Sequence, residues 1–235
     1  KTLWSGGPQP DSTDYNGGNY QDRYKVLAEI RKALEAGDRQ KAKQLAEENL
    51  VGPNNAQYGR YLSFGDIFMV FNKQRKGLEN VTDYHRDLDI TQAITTTSYS
   101  QDGTTFKRET FSSFPDDVTV THLSKKGDKT LDFTLWNSLT EDLLANGDYS
   151  WEYSKYKQGA VTTDSNGILL KGTVKDNGLQ FASYLGIKTD GQVTAQDGYL
   201  TVTGASYATL LLSSKTNYAQ NPKTNYRKDI DVENT

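Results

Sequence analysis

Thirty Asp and Glu residues give this chain many carboxylates but few arrangements that could use them. Glycoside hydrolysis needs two carboxyl groups facing each other across a cleft, about 5–10 Å apart. Pairs such as Asp116/Asp117 and Glu141/Asp142 are adjacent residues, and neighbours on a strand point to opposite faces. Most of the acids lie in turn sequences, so solvated turn carboxylates are the favoured reading. Asp87 and Asp89 do share one face of Tyr84-His85-Arg86-Asp87-Leu88-Asp89-Ile90 and could jointly hold Ca²⁺. Calcium takes six or more oxygens, so pairing with Arg86 or with the strand edge is the plainer expectation. The two histidines, His85 and His122, are expected as packed or exposed strand residues rather than ligands. Zero Cys removes disulfides, thiolate metal sites and cysteine nucleophiles together. No GxSxG, HExxH, P-loop or dinucleotide fingerprint occurs. Neither a metal nor a cofactor is expected.

Aromatic residues are more suggestive. Trp136, Tyr149, Trp151, Tyr153 and Tyr156 crowd one stretch, and Tyr149, Trp151 and Tyr153 share a face of any strand there. A flat aromatic face can stack on the C–H groups of a sugar ring. The competing reading makes the row the inner face of a sandwich, where Trp and Tyr supply apolar area. Core packing is favoured, because hydrophobic residues make up only 34% of the chain and that share includes 15 Tyr. Trp4 differs, since it sits in Trp4-Ser5-Gly6-Gly7-Pro8 with no period to bury it. There it is either anchored on the β domain or held for a neighbouring domain or ligand; an exposed Trp4 is the expectation, whereas Trp136 should be largely buried.

The elements that would position these residues are of two kinds. Residues 1–20 read as loop. From 21 to 53 the period is helical: Tyr24, Leu27, Ile30, Ala33 and Leu34 share one face, and Ala42, Leu45, Ala46, Asn49 and Leu50 continue in a second helix. Gly37 suits the C′ position and Asp38 the next N-cap. From Tyr61 the period becomes two. Ile67–Asn72 reads as a strand covered on both faces. Ile90–Tyr99 and Thr104–Phe111 flank Asp102-Gly103 as a hairpin whose turn needs positive φ twice. Asp117–Ser124 alternates Val118, Val120 and His122 against Thr119, Thr121 and Leu123. Thr130–Asn137 sets Leu131, Phe133 and Leu135 against Asp132, Thr134 and Trp136. After residue 140 come Asn146-Gly147, Asn166-Gly167, Asn177-Gly178, Asp190-Gly191 and Asp197-Gly198, with strand-like runs between them. The fold class expected is mainly β: a large antiparallel β-sandwich over 54–220, with an αα-hairpin insertion near the N-terminus.

Charge narrows the function classes. Lys and Arg total 27 against 30 acids, a net of −3 with no run of five like charges, and nucleic acid would call for clustered excess base. Apolar runs such as Ile67–Phe71 and Ala208–Leu212 are too short to span a bilayer. Both ends read as cut from something longer, with 221–235 opening a linker. A Cys-free surface rich in Thr, Asn and Tyr suits an extracellular or cell-surface bacterial protein. An adhesin-like interaction module has only composition behind it and ranks last.

The order of local motifs is specific where no single one is. Thr2-Leu3-Trp4-Ser5-Gly6-Gly7-Pro8, an αα-hairpin ending near Gly52-Pro53, Tyr58 to Gly65-Asp66 and Val81-Thr82-Asp83-Tyr84-His85-Arg86-Asp87-Leu88-Asp89 come in that sequence. Thr97–Phe114 with Pro115-Asp116, and Thr224-Asn225-Tyr226-Arg227, complete the series. This series resembles the N-terminal domain of glycoside hydrolase family 95, with His85 standing where a basic residue such as Arg is the norm. The likeness covers most of residues 1–125 and the last dozen, and is weak across 137–205. It implies α-L-fucosidases, inverting hydrolases in which a large N-terminal β-sandwich precedes linker helices and an (α/α)₆ catalytic barrel. The catalytic groups belong to that barrel, so the resemblance places no catalytic residue in this chain. Expected partners are the barrel in cis and, for the parent protein, a fucosylated glycan. A free-standing carbohydrate-binding module, built on Trp4 or on Tyr149, Trp151 and Tyr153, is the alternative.

Overall fold

The computed structural model describes residues 2–4, 22–50, 61–71, 80–144, 156–175, 177–224 and 226–228. It is a β-sandwich of two unequal antiparallel sheets. The first residues are not loop throughout. Thr2–Trp4 (β1) pairs with Tyr61–Ser63 (β2), because Leu3 and Leu62 both go into the core and carry the backbone into register. Lys157, itself 1% exposed, donates from Nζ to the Ser63 carbonyl at 3.0 Å and ties this small ribbon to the sandwich.

The helical hairpin forms as Leu27–Glu35 (α1), preceded by a 3₁₀ turn at Arg23–Val26, and Arg39–Asn49 (α2). Gly37 takes φ +75, and Asp38 Oδ1 accepts from the Lys41 N–H at 3.0 Å, which satisfies one donor at the start of α2. The hairpin's buried set is smaller than the helical period predicts. Ile30, Ala33 and Ala42 pack together with Val26, Leu45 and Ala46, while Tyr24, Leu27, Leu34 and Leu50 are exposed. Two helices bury only the stripe where they touch each other.

The eight-stranded sheet runs Val81–Asp89 (β4), Ile94–Gln101 (β5), Thr104–Ser113 (β6), Val118–Lys126 (β7), Tyr207–Thr216 (β14), Gln180–Thr189 (β11), Gly167–Val174 (β10) and Lys157–Asp164 (β9). The four-stranded sheet runs Gln192–Gln196 (β12), Tyr199–Ala205 (β13), Leu131–Asn137 (β8) and Ile67–Phe71 (β3). A short helix, Leu139–Leu144 (α3), follows β8 and buries Leu139 and Leu143. Between the sheets lies one core: Leu131, Phe133, Leu135, Leu200 and Val202 from the smaller sheet meet Ile168, Leu170, Phe181, Leu185, Ile187 and Leu210 from the larger. Among the described residues no helix is long and apolar enough to cross a membrane.

Turn chemistry acts where positive φ is needed. Asp102 and Gly103 lie at φ +47 and +77 between β5 and β6, and Asp197 and Gly198 at +47 and +82 between β12 and β13. At Asn166-Gly167 the turn sits one residue earlier, on Ser165-Asn166, since Gly167 already pairs with Asp164. Ile90 also leaves the strand expected of it and is 85% exposed in the β4–β5 turn, where Asp89 Oδ1 accepts from the Thr91 and Gln92 N–H groups. Ile67–Phe71 is not covered on both faces: it is the edge of the smaller sheet, and Phe68 and Val70 point outward.

Asp190 fastens two turns together. It accepts from the backbone N–H groups of Ser206 and Tyr207 and from the Ser206 hydroxyl, and that hydroxyl bond is the main cause of its lowered pKa. A carboxyl whose pKa is depressed by folding contributes stability above its unfolded value, about 3.9, and loses it as pH falls through the folded value. Wild type should therefore melt above Asp190→Asn at pH 7, with the gap closing at pH values below the ordinary aspartate range. A gap that stays constant from pH 7 to strongly acidic conditions would show that the charge contributes nothing.

Candidate functional site: a polar half-sheet

The larger sheet has twice the strands of its partner, and its inner face changes character across that width. Cross-strand register puts Leu123, Ala208, Leu210, Leu185, Ile187, Ile168 and Leu170 on the inner face over β7, β14, β11 and β10. Further toward β4 that same face turns polar. One row reads Leu88, Thr95, Thr110, Thr121 across β4 to β7, and the next reads Arg86, Thr97, Arg108, Leu123. These side chains, with Ile67 and Met69 at the edge of the smaller sheet, line a cleft of about 630 Å³.

Hydroxyls and cations dominate it. Thr95 Oγ1 donates to the Thr110 carbonyl at 3.2 Å, and the Thr110 and Thr121 hydroxyls share a bond of 3.0 Å. Arg86 and Arg108 stand on either side of Thr97, two strand spacings or about 9–10 Å apart. Tyr99 lies on the same face, stacked on Phe106 at 5.4 Å; burial raises its pKa and the Arg108 charge opposes that. Asp87 is the carboxylate that borders the cleft among the described residues, and its register places it on the outer face opposite Thr96.

The acids and histidines weighed from sequence disperse. Asp116 accepts from the Ser113 hydroxyl, Asp117 sits in the β6–β7 turn at φ +52, and Glu141 accepts from the Tyr199 hydroxyl at 3.4 Å. The side chain of Asp142 lies outside the described residues. Asp87 and Asp89 share the outer face, as their spacing requires, but Asp89 caps the following turn and Arg86 points to the opposite face. His85 is exposed; His122 Nδ1 lies 2.9 Å from Thr209 Oγ1, with its ring stacked on Tyr207. No group of three His, Cys, Asp or Glu suited to a metal occurs among the described residues.

Of the aromatic candidates, Tyr149, Trp151 and Tyr153 lie outside the described residues, and so does the side chain of Trp4, whose backbone belongs to β1. Tyr156 is half-buried and packs against the core. Trp136 keeps only a minor part of its surface exposed, although β8 turns it to the outer face of the smaller sheet. There it stacks on Phe68 at 5.0 Å and leans on Tyr199 at 5.5 Å, and its Nε1–H is covered without a hydrogen-bond partner among the described residues. The row Phe68–Trp136–Tyr199 draws on three strands far apart in sequence, so no local spacing announces it.

A family model described as "Glycosyl hydrolase family 65, N-terminal domain" matches residues 1–221. The chain belongs to that family. It is thus an N-terminal domain of a glycoside hydrolase, as the motif series implied. The chain is similar to Alpha-L-fucosidase 2 of Arabidopsis thaliana, 24% identical over 92% of this chain and 26% of that protein. It is also similar to Probable alpha-fucosidase A of Aspergillus niger, 30% identical over 59% of this chain and 16% of that protein. The chain therefore spans about a quarter or less of the length of these relatives, which are a plant and a fungal protein.

Proposed function

We propose that this chain is the non-catalytic β-sandwich domain of an α-L-fucosidase-like glycoside hydrolase, supporting and partly rimming a helical catalytic barrel supplied by the rest of the parent protein. The observation that carries the reading is the chemistry of the cleft. Inverting hydrolysis needs a carboxylic acid and a carboxylate on opposite sides of the glycosidic bond. The cleft offers two guanidiniums and a field of hydroxyls, with one carboxylate at its border. The fucosidase names of the two relatives support fucosylated glycans as the parent's substrate.

The expected result is no turnover of an aryl α-L-fucoside by this chain alone and clear turnover by the full-length parent. Hydrolysis by the chain, persisting through purification and abolished by heat, would overturn the assignment. The outer-face row Phe68–Trp136–Tyr199 favours a second reading, a carbohydrate-binding module. Saturable heat on titration with a neutral fucosylated oligosaccharide, lost in Trp136→Ala, would select that reading over scaffolding. The proposal extends to an extracellular place of action, supported by the Cys-free composition and checked by fractionating cells that make the parent protein.

A further inference from the structure

We propose that the inner face of β4–β7, where it lines this cleft, binds an acidic saccharide, one that carries a carboxylate or a sulfate ester. The inference concerns binding by this chain, so it stands or falls separately from the scaffolding role.

The argument begins with the two arginines. Arg86 and Arg108 share one face of the sheet, and among the described residues neither guanidinium makes a hydrogen bond or ion pair. The chain does not lack acids to pair them with, since it has 30 Asp and Glu. The alternation of the strands sends the nearby acids to the other side: Asp87 follows Arg86 and Glu109 follows Arg108, so both fall on the outer face. There Glu109 meets Lys107 at 2.8 Å. Two cations thus line one cleft, and among the described residues of β4–β7 no acid shares their face. A guanidinium presents a planar fork of donors that fits a carboxylate or sulfate in bidentate fashion.

What lies between the arginines decides the rest of the ligand. Thr95, Thr97, Thr110, Thr119 and Thr121 line the cleft. Each hydroxyl has one donor and two acceptor sites, and the bonds Thr95 to Thr110 and Thr110 to Thr121 leave capacity unused. A partner that matches a lattice of hydroxyls must bring hydroxyls of its own, which a sugar does and an acidic peptide does not. Ile67, Met69, Leu88 and Leu212 offer an apolar border for the C–H faces of a pyranose ring. The volume of about 630 Å³ falls within the range of small-molecule sites. The spacing of the two guanidiniums suits a short oligomer rather than one ring.

The test titrates the full 235-residue chain by calorimetry at low salt with trigalacturonate, a sulfated fucose oligomer, a neutral xyloglucan oligosaccharide and a hexaglutamate peptide. The expected result is saturable binding of the first or the second, identifying carboxylate or sulfate as the anion. That binding should be weakened tenfold or more in Arg86→Ala and in Arg108→Ala, less so in Arg108→Lys, and reduced by added salt. Thr110→Val, which keeps the shape of the strand, should weaken it several-fold. Circular dichroism establishes that each variant is folded. Three results would overturn the proposal: no binding of either acidic saccharide, binding that survives loss of both arginines, or hexaglutamate binding as tightly as the sugars.

Discussion

Replacing Phe181 by Ala should cost this domain more stability than any substitution among its surface aromatics. Phe181 is fully buried on the inner face of β11. Its ring passes over Gly172, where an added Cβ would come within 2.6 Å of it, and meets Phe64 edge-on at 5.6 Å. A buried Phe→Ala change costs about 3–5 kcal/mol, because the cavity left behind closes only in part. The edge-on contact adds about 0.5–1.5 kcal/mol beyond the area lost. For a chain of this size each kcal/mol is worth about 2–4 °C, so Tm should fall by about 6 °C at the least. Trp136→Ala is the control: the side chain is larger but less deeply buried, and its removal also takes away a covered N–H with no partner among the described residues. Thermal melts of both variants decide the matter. A smaller loss for Phe181→Ala than for Trp136→Ala would mean that the inner and outer faces have been exchanged.

The comparison of those two residues shows where sequence stops being informative. The pattern of β8 placed Trp136 opposite Leu131, Phe133 and Leu135, and the strand obeys it. What the pattern could not say is that the polar face, carrying an indole, is the outer one. In β7 the same ambiguity runs deeper. Val118 and Val120 look like the buried set, yet register turns Thr119, Thr121 and Leu123 inward, and only Leu123 lies under the core. The reason is global: the partner sheet has half the strands, so the inner face of β4–β7 meets a cleft and need not be apolar. The cleft was illegible for the same reason, because Arg86 and Arg108 become neighbours only through the register of β4, β5 and β6. Local signals fared better. The Asp38 cap, the Gly37 terminus and the Asp102-Gly103 turn each depend on a few adjacent residues, and each forms as its chemistry requires.

Gly65→Ala is expected to be the most damaging change in the segment that joins β2 to β3, and its cause can be separated into two parts. Gly65 lies at φ +99, a region that costs a residue with a Cβ about 1–2 kcal/mol. An added Cβ would also fall 1.9 Å from Asn137 Oδ1, far inside van der Waals contact. Asn137 is 2% exposed and cannot swing away freely, since Oδ1 accepts from the Leu139 N–H at 2.9 Å where α3 begins. Forcing extra volume into such a site costs about 1–3 kcal/mol more. The sum, about 2–5 kcal/mol, should appear as a large drop in Tm. Asn137→Ala alone should cost about 1 kcal/mol through the lost bond to the helix start. In the double variant the clash is gone while the backbone strain remains, so the double variant should lose less than the two single losses added together. A strictly additive cycle, measured by denaturant unfolding, would mean that the two residues do not touch and that the link between β2, β8 and α3 is packed differently.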